Sequence, residues 1–196
     1  MSDSIITKKA IAVSLKDLMK KKSLAKITVS DIVKNCNLNR QTFYYHFKDK
    51  YDLLHWIISN EVARALSRST GEKDWGAAML EALNTIKREK AFYIGSLSVD
   101  CQSVFFDDLF DVVREMLLRN VDQLSESAFN GRSLAPADRQ FIAEFYAYGL
   151  VGMIIQWVKG GMKEPPEEIV ERLTWFVNDS KFASSARYLK DRTKGD

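Results

Sequence analysis

The chain has 196 residues, 46% of them hydrophobic, enough for a real core in one domain or in two small ones that share it, and too many for a disordered polymer. The N-terminus, MSDSIITKK, lacks the apolar stretch and cleavage site of a secretory leader. Cys36 and Cys101 are far apart without a CxxC or metal-ligand spacing, so they read as small buried thiols and the protein as cytoplasmic. The net charge of +3 hides an asymmetry: residues 1–60 hold eleven Lys/Arg against five Asp/Glu, and residues 61–196 hold eighteen against twenty-one. A basic N-terminal third attracts phosphate through counterion release, whatever the base sequence.

Apolar residues at Ile6, Ala10, Val13 and Leu18, with Ile11 and Leu15 nearby, predict a helix over about 6–21. Lys20, Lys21 and Lys22 close it, complementing the negative end of the helix dipole. Residues 28–50, TVSDIVKNCNLNRQTFYYHFKDK, then carry the grammar of a helix-turn-helix. Thr28 and Ser30 offer hydroxyl caps, and Asp31 puts a negative charge in the positive first turn of a short helix. Val29, Ile32 and Val33 are its apolar positions. Cys36-Asn37-Leu38 makes a tight turn in which Asn37 can take a left-handed conformation. Asn39 caps a second short helix whose Phe43 and Phe47, four apart, share one face. Arg40, Gln41, Thr42, Tyr44 and Tyr45 remain facing outward, and these are side-chain types that read base edges and hold phosphates. Adjacent Tyr44 and Tyr45 cannot both enter one core, so at least one points to solvent.

From about residue 50 a longer helix presents Tyr51, Leu54, Ile57, Ile58, Val62, Ala65 and Leu66, closed by Ser69-Thr70-Gly71. Asp74-Trp75 opens another, with Trp75, Met79, Leu83 and Ile86 on one face. Residues about 103–127 carry Phe105, Phe106, Leu109, Val113, Met116, Leu117, Val121 and Leu124. A loop over 128–135 leads to Pro136 at a first helical position. Phe141 to Val158 is mostly apolar, near the lower limit of a membrane span. Glu144, Gly149 and Gly152 point instead to a buried soluble helix. Gly160-Gly161 stops it, Pro165-Pro166 starts a last helix with Ile169, Val170, Leu173, Phe176 and Val177, and the polar tail 183–196 is expected to fray. There is no strand alternation, so the fold class is all-α.

The stretch TVSDIVKNCNLNRQTFYYHFKDKYDLL closely resembles the DNA-binding domain of the TetR family of bacterial transcription regulators. The resemblance rests on Thr28-Val29, on Thr42-x-Tyr44-Tyr45-x-Phe47 and on Lys48-Asp49-Lys50, and covers residues 5–60, about a third of the chain. Within the family, SIIT at 4–7 and RQTFYYHF at 40–47 resemble the subgroup that contains regulators of dihydroxyacetone kinase operons. The resemblance implies a three-helix DNA-binding head over 1–47 and a helical regulatory and dimerising body over 48–196. It implies that Arg40, Gln41 and Tyr44 meet bases and that Tyr45, His46 and Lys50 hold phosphates. It also implies a small-molecule pocket among the C-terminal helices and a homodimer built from the last two. The turn departs from family habit, with Asn37-Leu38-Asn39 where many members carry Gly-Val-Ser.

The candidate DNA-binding residues are thus Thr28, Asn39, Arg40, Gln41, Thr42, Tyr44, Tyr45, His46 and Lys50. Arg can pair with the O6/N7 edge of guanine and Gln with the N6/N7 edge of adenine. Thr28 either caps its helix alone or caps one whose free N–H groups meet a phosphate, and His46 is alternatively a solvated surface histidine. The only histidines, His46 and His55, lack a cysteine pair at ligand spacing, and no Ser-His-Asp order, Gly-rich phosphate loop or paired carboxylates stand out, so no enzyme, metal or resident cofactor is expected. The apolar 141–158 helix, with Ala147, Gly149 and Gly152 permitting close approach, suits a dimer interface. The expected partners are double-stranded DNA, a second copy and a small-molecule effector, with no membrane. Two alternatives stand beside this: a regulator controlled by a protein partner, and a helical cytosolic ligand-binding protein without a DNA role.

Overall fold

The computed structural model describes residues 3–66, 75–97, 102–128 and 135–176, and every regular element among them is helical. Helix α1 (Asp3–Met19) is followed by a 3-10 turn (Leu24–Lys26), α2 (Val29–Asn35), α3 (Arg40–His46) and α4 (Lys50–Leu66). The body continues with α5 (Trp75–Arg88), α6 (Lys90–Ser96), α7 (Gln102–Ala128), α8 (Pro136–Lys159) and a last helix, α9, over 166–176. The expected features at Ser69-Thr70-Gly71, Asp74, Cys101, Val177 and 183–196 lie outside the described residues, as do the side chains of Val121 and Leu124.

Helices α1, α2 and α3 pack on one another as a small head. The face that α1 buries is Ile11, Leu15 and Met19, with Ala12 and Ser14 beside it. The stripe expected from the sequence was rotated: Ile6 and Val13 are more than half exposed, and Ala10 is exposed too. The N-terminal half of α1 is apolar on several faces, so periodicity alone does not fix its register. Met19, Ile11 and Leu15 recur every four residues, which keeps them over the head core.

Helix α4 joins head to body. Leu53, Leu54, Ile57, Ile58, Val62, Ala65 and Leu66 are buried, and the helix packs against α1 on one side and against α5 and α7 on the other. Tyr51 is only half-buried, because it stands at the first turn where the helix emerges. One continuous apolar core runs from Ile11 in the head to Leu173 in α9. The α5 face Trp75, Met79, Leu83 and Ile86 is buried as its spacing predicts. The seven residues of α6 gave no helical signal in the sequence: they span two turns without a side-chain cap, and Phe92 and Tyr93, both buried, are the visible trace of the element.

Helices α7 and α8 pack along each other. Pro136 occupies the first turn of α8, where its missing N–H costs nothing. Ala143, Ala147, Leu150, Val151, Ile154, Ile155, Trp157 and Val158 form the buried face. Ala147 therefore serves the chain's own core and not close approach by another helix. Gly149 and Gly152 face open space. The helix ends at Gly160-Gly161, with Gly161 at φ +79 and Met162 also left-handed. In α9, Ile169, Val170 and Leu173 are buried, whereas Phe176, expected on the same face, is exposed at 64% beside the exposed Trp175.

Candidate nucleic-acid interface

Two caps define the helix-turn-helix. The Thr28 hydroxyl accepts from the Asp31 backbone N–H at 3.1 Å and donates to Asp31 Oδ2 at 2.9 Å, while the Thr28 N–H donates to that same Oδ2 at 3.0 Å. This reciprocal box fixes the first turn of α2. These hydrogen bonds, led by the one from the Thr28 backbone, hold the Asp31 carboxyl below the usual carboxylate range. The backbone N–H of Thr28 is therefore occupied by a carboxylate of the protein itself. Asn37, at φ +54, turns the chain between α2 and α3, and the Leu38 N–H closes the turn on the Val33 carbonyl at 2.9 Å. Asn39 then caps α3: its Oδ1 accepts from the Thr42 N–H at 2.7 Å and from the Thr42 hydroxyl at 3.0 Å.

Phe43 and Phe47 are buried at 0% and 3% and anchor α3 to the head core, each contributing roughly 1.5–3 kcal/mol of apolar burial. That anchoring decides what the rest of α3 presents. Arg40 and Gln41 are exposed, Tyr44 is half exposed, and Tyr45 is 82% exposed. Thr42 is half-buried under its cap. The Arg40 guanidinium donates to the Tyr44 hydroxyl at 3.3 Å and lies over its ring, so the two side chains form one unit at the start of the helix. Tyr45 packs edge-on against His46, which is half-buried. Burial, and then the nearby Lys8, lower the His46 pKa, so its imidazole is neutral at neutral pH and offers a hydrogen bond instead of a charge.

Lys50 departs from its expected setting. Its ammonium donates to the carbonyls of Leu24 at 2.8 Å, Ala25 at 3.2 Å and Ile27 at 3.0 Å. All three of its donors are thereby engaged by the protein's own backbone, at the turn that leads into α2.

A second constellation, between head and body, escaped the sequence reading. Lys16 of α1 is 7% exposed and donates to both carboxylate oxygens of Glu61 on α4, at 2.6 and 2.7 Å. It also lies 3.8 Å from Glu89, at the start of α6, and over the Phe92 ring. The Tyr93 hydroxyl donates to Glu61 at 3.4 Å. Lys16, Glu61 and Glu89 line part of a cleft of about 380 Å³ between α1, α4 and α5. A lysine set among Ile11, Leu15 and Met19 was the available signal, but its partners lie 45 and more residues away. On the far side of α4, His55 pairs with Asp108 of α7. Among the described residues no three His, Cys, Asp or Glu side chains are grouped to hold a metal ion.

Comparison with known proteins places these features among bacterial regulators. Residues 14–57 match the family described as bacterial regulatory proteins of the tetR family, and residues 73–179 match a transcriptional regulator C-terminal region of the TetR type. The HTH-type dhaKLM operon transcriptional activator DhaS of Lactococcus lactis subsp. lactis (strain IL1403) is 32% identical over 149 residues, covering 75% of this chain and 76% of that protein. An uncharacterized HTH-type transcriptional regulator of Bacillus subtilis (strain 168), YxbF, is 22% identical over 90% of this chain and 46% of its own length. Among solved structures, a dihydroxyacetone kinase operon activator DhaS superimposes with a TM-score of 0.74 at 22% identity, over 91% of this chain and 98% of that one. NalD of Pseudomonas aeruginosa, a secondary repressor of the MexAB-OprM efflux pump, does so with a TM-score of 0.56 at 16% identity, over 92% and 97%. At these identities the two superpositions establish the shared fold.

Proposed function

The chain belongs to the TetR family of bacterial transcriptional regulators, and from that premise we propose that it binds a pseudo-palindromic operator as a homodimer and answers to a small-molecule effector. The outward surface of α3 carries the reading: Arg40, Gln41, Tyr44 and Tyr45 stand on a helix whose other side is locked by Phe43 and Phe47. A short helix presented this way enters the major groove by its N-terminal residues. Arg40 and Gln41 read base edges, Tyr44 reads or positions, and Tyr45 and His46 hold phosphates by hydrogen bonds. Thr28 and Asn39 set the two helices by capping, and Thr42 completes the Asn39 cap.

The dimer rests on the outer faces of α8 and α9. Phe141 and Phe145 are 70% and 65% exposed, Tyr148 and Met153 share their side, Gly149 and Gly152 leave room, and Trp175 and Phe176 of α9 are exposed as well. Aromatic side chains exposed together on one helix face mark an association site. Among the described residues, α8 alone is long and apolar enough to cross a membrane by length and composition, with a mean hydropathy of 1.4. Its buried face against α7 and its open glycines support the dimer reading and a cytoplasmic protein. Helix α4 touches head and body alike, which gives an effector bound in the body a route to the spacing of the two heads. No catalytic role is part of this reading. Similarity to an operon activator makes activation the first direction to test.

The test is selection of bound sequences from random duplex DNA, followed by titration of the enriched site at two salt concentrations. One enriched palindrome, with affinity falling steeply as salt rises, is expected. Unselective binding that Tyr44→Ala leaves unchanged would remove the operator reading.

A further inference from the structure

We propose that Lys50 is a positioning residue, a clamp that fixes the first turn of α4 to the turn that opens α2, instead of a phosphate ligand. The inference rests on the operator reading above, whose recognition helix it serves. A cation in the first turn of a helix is opposed by the positive end of the helix dipole. Lys50, the first residue of α4, relieves this by reaching back 23–26 residues along the chain to the end of the 3-10 turn. There the terminal carbonyls carry negative partial charge and call for donors.

An ammonium has three donors and no acceptor, and all three are engaged, at 2.8, 3.2 and 3.0 Å. A phosphate would have to displace these charge-assisted bonds before it could use Lys50. The acceptors also say what is being positioned. Ile27 immediately precedes Thr28, whose capping box with Asp31 starts α2, and α2 packs on α3. Lys50 thus ties the helix that reaches the body to the point from which the helix-turn-helix takes its orientation. A planar guanidinium preserves the charge but cannot direct three donors to three carbonyls gathered around one nitrogen. That makes Lys50→Arg the informative substitution.

The experiment compares wild type, Lys50→Arg and Lys50→Met in two measurements, after thermal melts confirm that each variant is folded at the working temperature. The first is hydrogen–deuterium exchange of the free protein. The clamp predicts faster exchange over residues 24–33 in both variants, with α7 and α8 unchanged. The second is binding to the duplex selected by the wild-type protein, titrated over a range of salt. The clamp predicts that Lys50→Arg loses about tenfold in affinity while the dependence of log affinity on log salt keeps its slope. Wild-type exchange over 24–33 in Lys50→Arg would overturn the proposal. So would faster exchange with operator affinity intact, which would leave Lys50 a local brace only. A phosphate ligand would show itself by Lys50→Arg binding normally and Lys50→Met lowering the salt slope by about 0.9. If the wild type selects no site, the operator reading fails by that result, and the exchange comparison alone decides whether the clamp exists.

Discussion

Asn39 does two things with one oxygen. Its Oδ1 accepts both donors of Thr42, and in doing so it sets the start of the helix that bears Arg40, Gln41 and Tyr44. Asn39→Ala should cost about 1 kcal/mol of stability in urea unfolding, and Asn39→Ser should restore most of it, because a serine hydroxyl can take up the same N–H. Asp31 gives the head a dependence on acid. Its folded pKa lies below the ordinary value of 3.8 because the Thr28 backbone and hydroxyl donate to it. A depressed carboxylate contributes stability that is present above the unfolded pKa and disappears as pH falls through the folded one. The stability gap between wild type and Asp31→Asn should therefore be constant at neutral and mildly acidic pH and should close below the ordinary carboxylate range, as urea unfolding at a series of pH values would register. A gap independent of pH down to the most acidic point would mean that the charge on Asp31 has no part in the cap. These features were legible in the sequence because capping is local: donor and acceptor lie three residues apart. The partners of Lys50 were not, since its acceptors lie 23–26 residues back along the chain, and the phosphate role expected of it came from the family resemblance.

Helix α8 shows how one element answers two demands. One side fills the chain's core with Ala147, Val151, Ile154 and Val158, and the other leaves Phe141, Phe145, Tyr148 and Met153 in solvent. In the dimer proposed above, such a helix is apolar all round because it serves two partners, only one of which is its own chain. Phe145→Asp places a charge in the middle of that outer side without touching the core. It should convert a dimer to a monomer in sedimentation or light scattering, a loss of about 2 kcal/mol or more of association energy, with helical content retained. A dimer that survives the substitution would move the interface elsewhere. The strong apolar run of α8 and the long face of α4 could be read from the sequence because many residues vote for each. Helix α1 has apolar residues on opposite sides, Ile11 and Leu15 against Ile6 and Val13, so burial was decided by tertiary packing that the sequence pattern does not encode. Helix α6 is shorter than the window over which periodicity becomes visible, and its helical state depends on Phe92 and Tyr93 being taken into the core.

Head and body are held to each other by more than apolar packing. Lys16 reaches from α1 to Glu61 on α4 and approaches Glu89 at the start of α6, while Met19 of α1 lies so close to α6 that a Cβ on Gly95 would sit 2.9 Å from its Cε. Together with the Lys50 contacts, this pins α4 to the head at two places three turns apart, so the head should follow α4 as one body and yield, if anywhere, at α6. Lys16→Met tests the ionic part. It removes a largely buried cation and leaves Glu61, about a third exposed on its side chain, without its main partner. The cost should be about 2 kcal/mol, below that of breaking a fully buried pair because water still reaches Glu61. Lys16→Met/Glu61→Leu should regain more than half of it, since the orphaned charge is gone. Stability alone would not reveal a role in regulation. Spin labels at Lys48→Cys, in a background without Cys36 and Cys101, would report the separation of the two heads in a dimer by pulsed electron spin resonance. A latch between head and body predicts that Lys16→Met broadens that distance distribution, and that the double variant, although restored in stability, remains broad because the tie is still missing. If the double variant instead recovers both stability and a narrow distribution, apolar packing through Met19 and Gly95 suffices to orient the head, and the ion pair is only a way of housing Lys16 in the core.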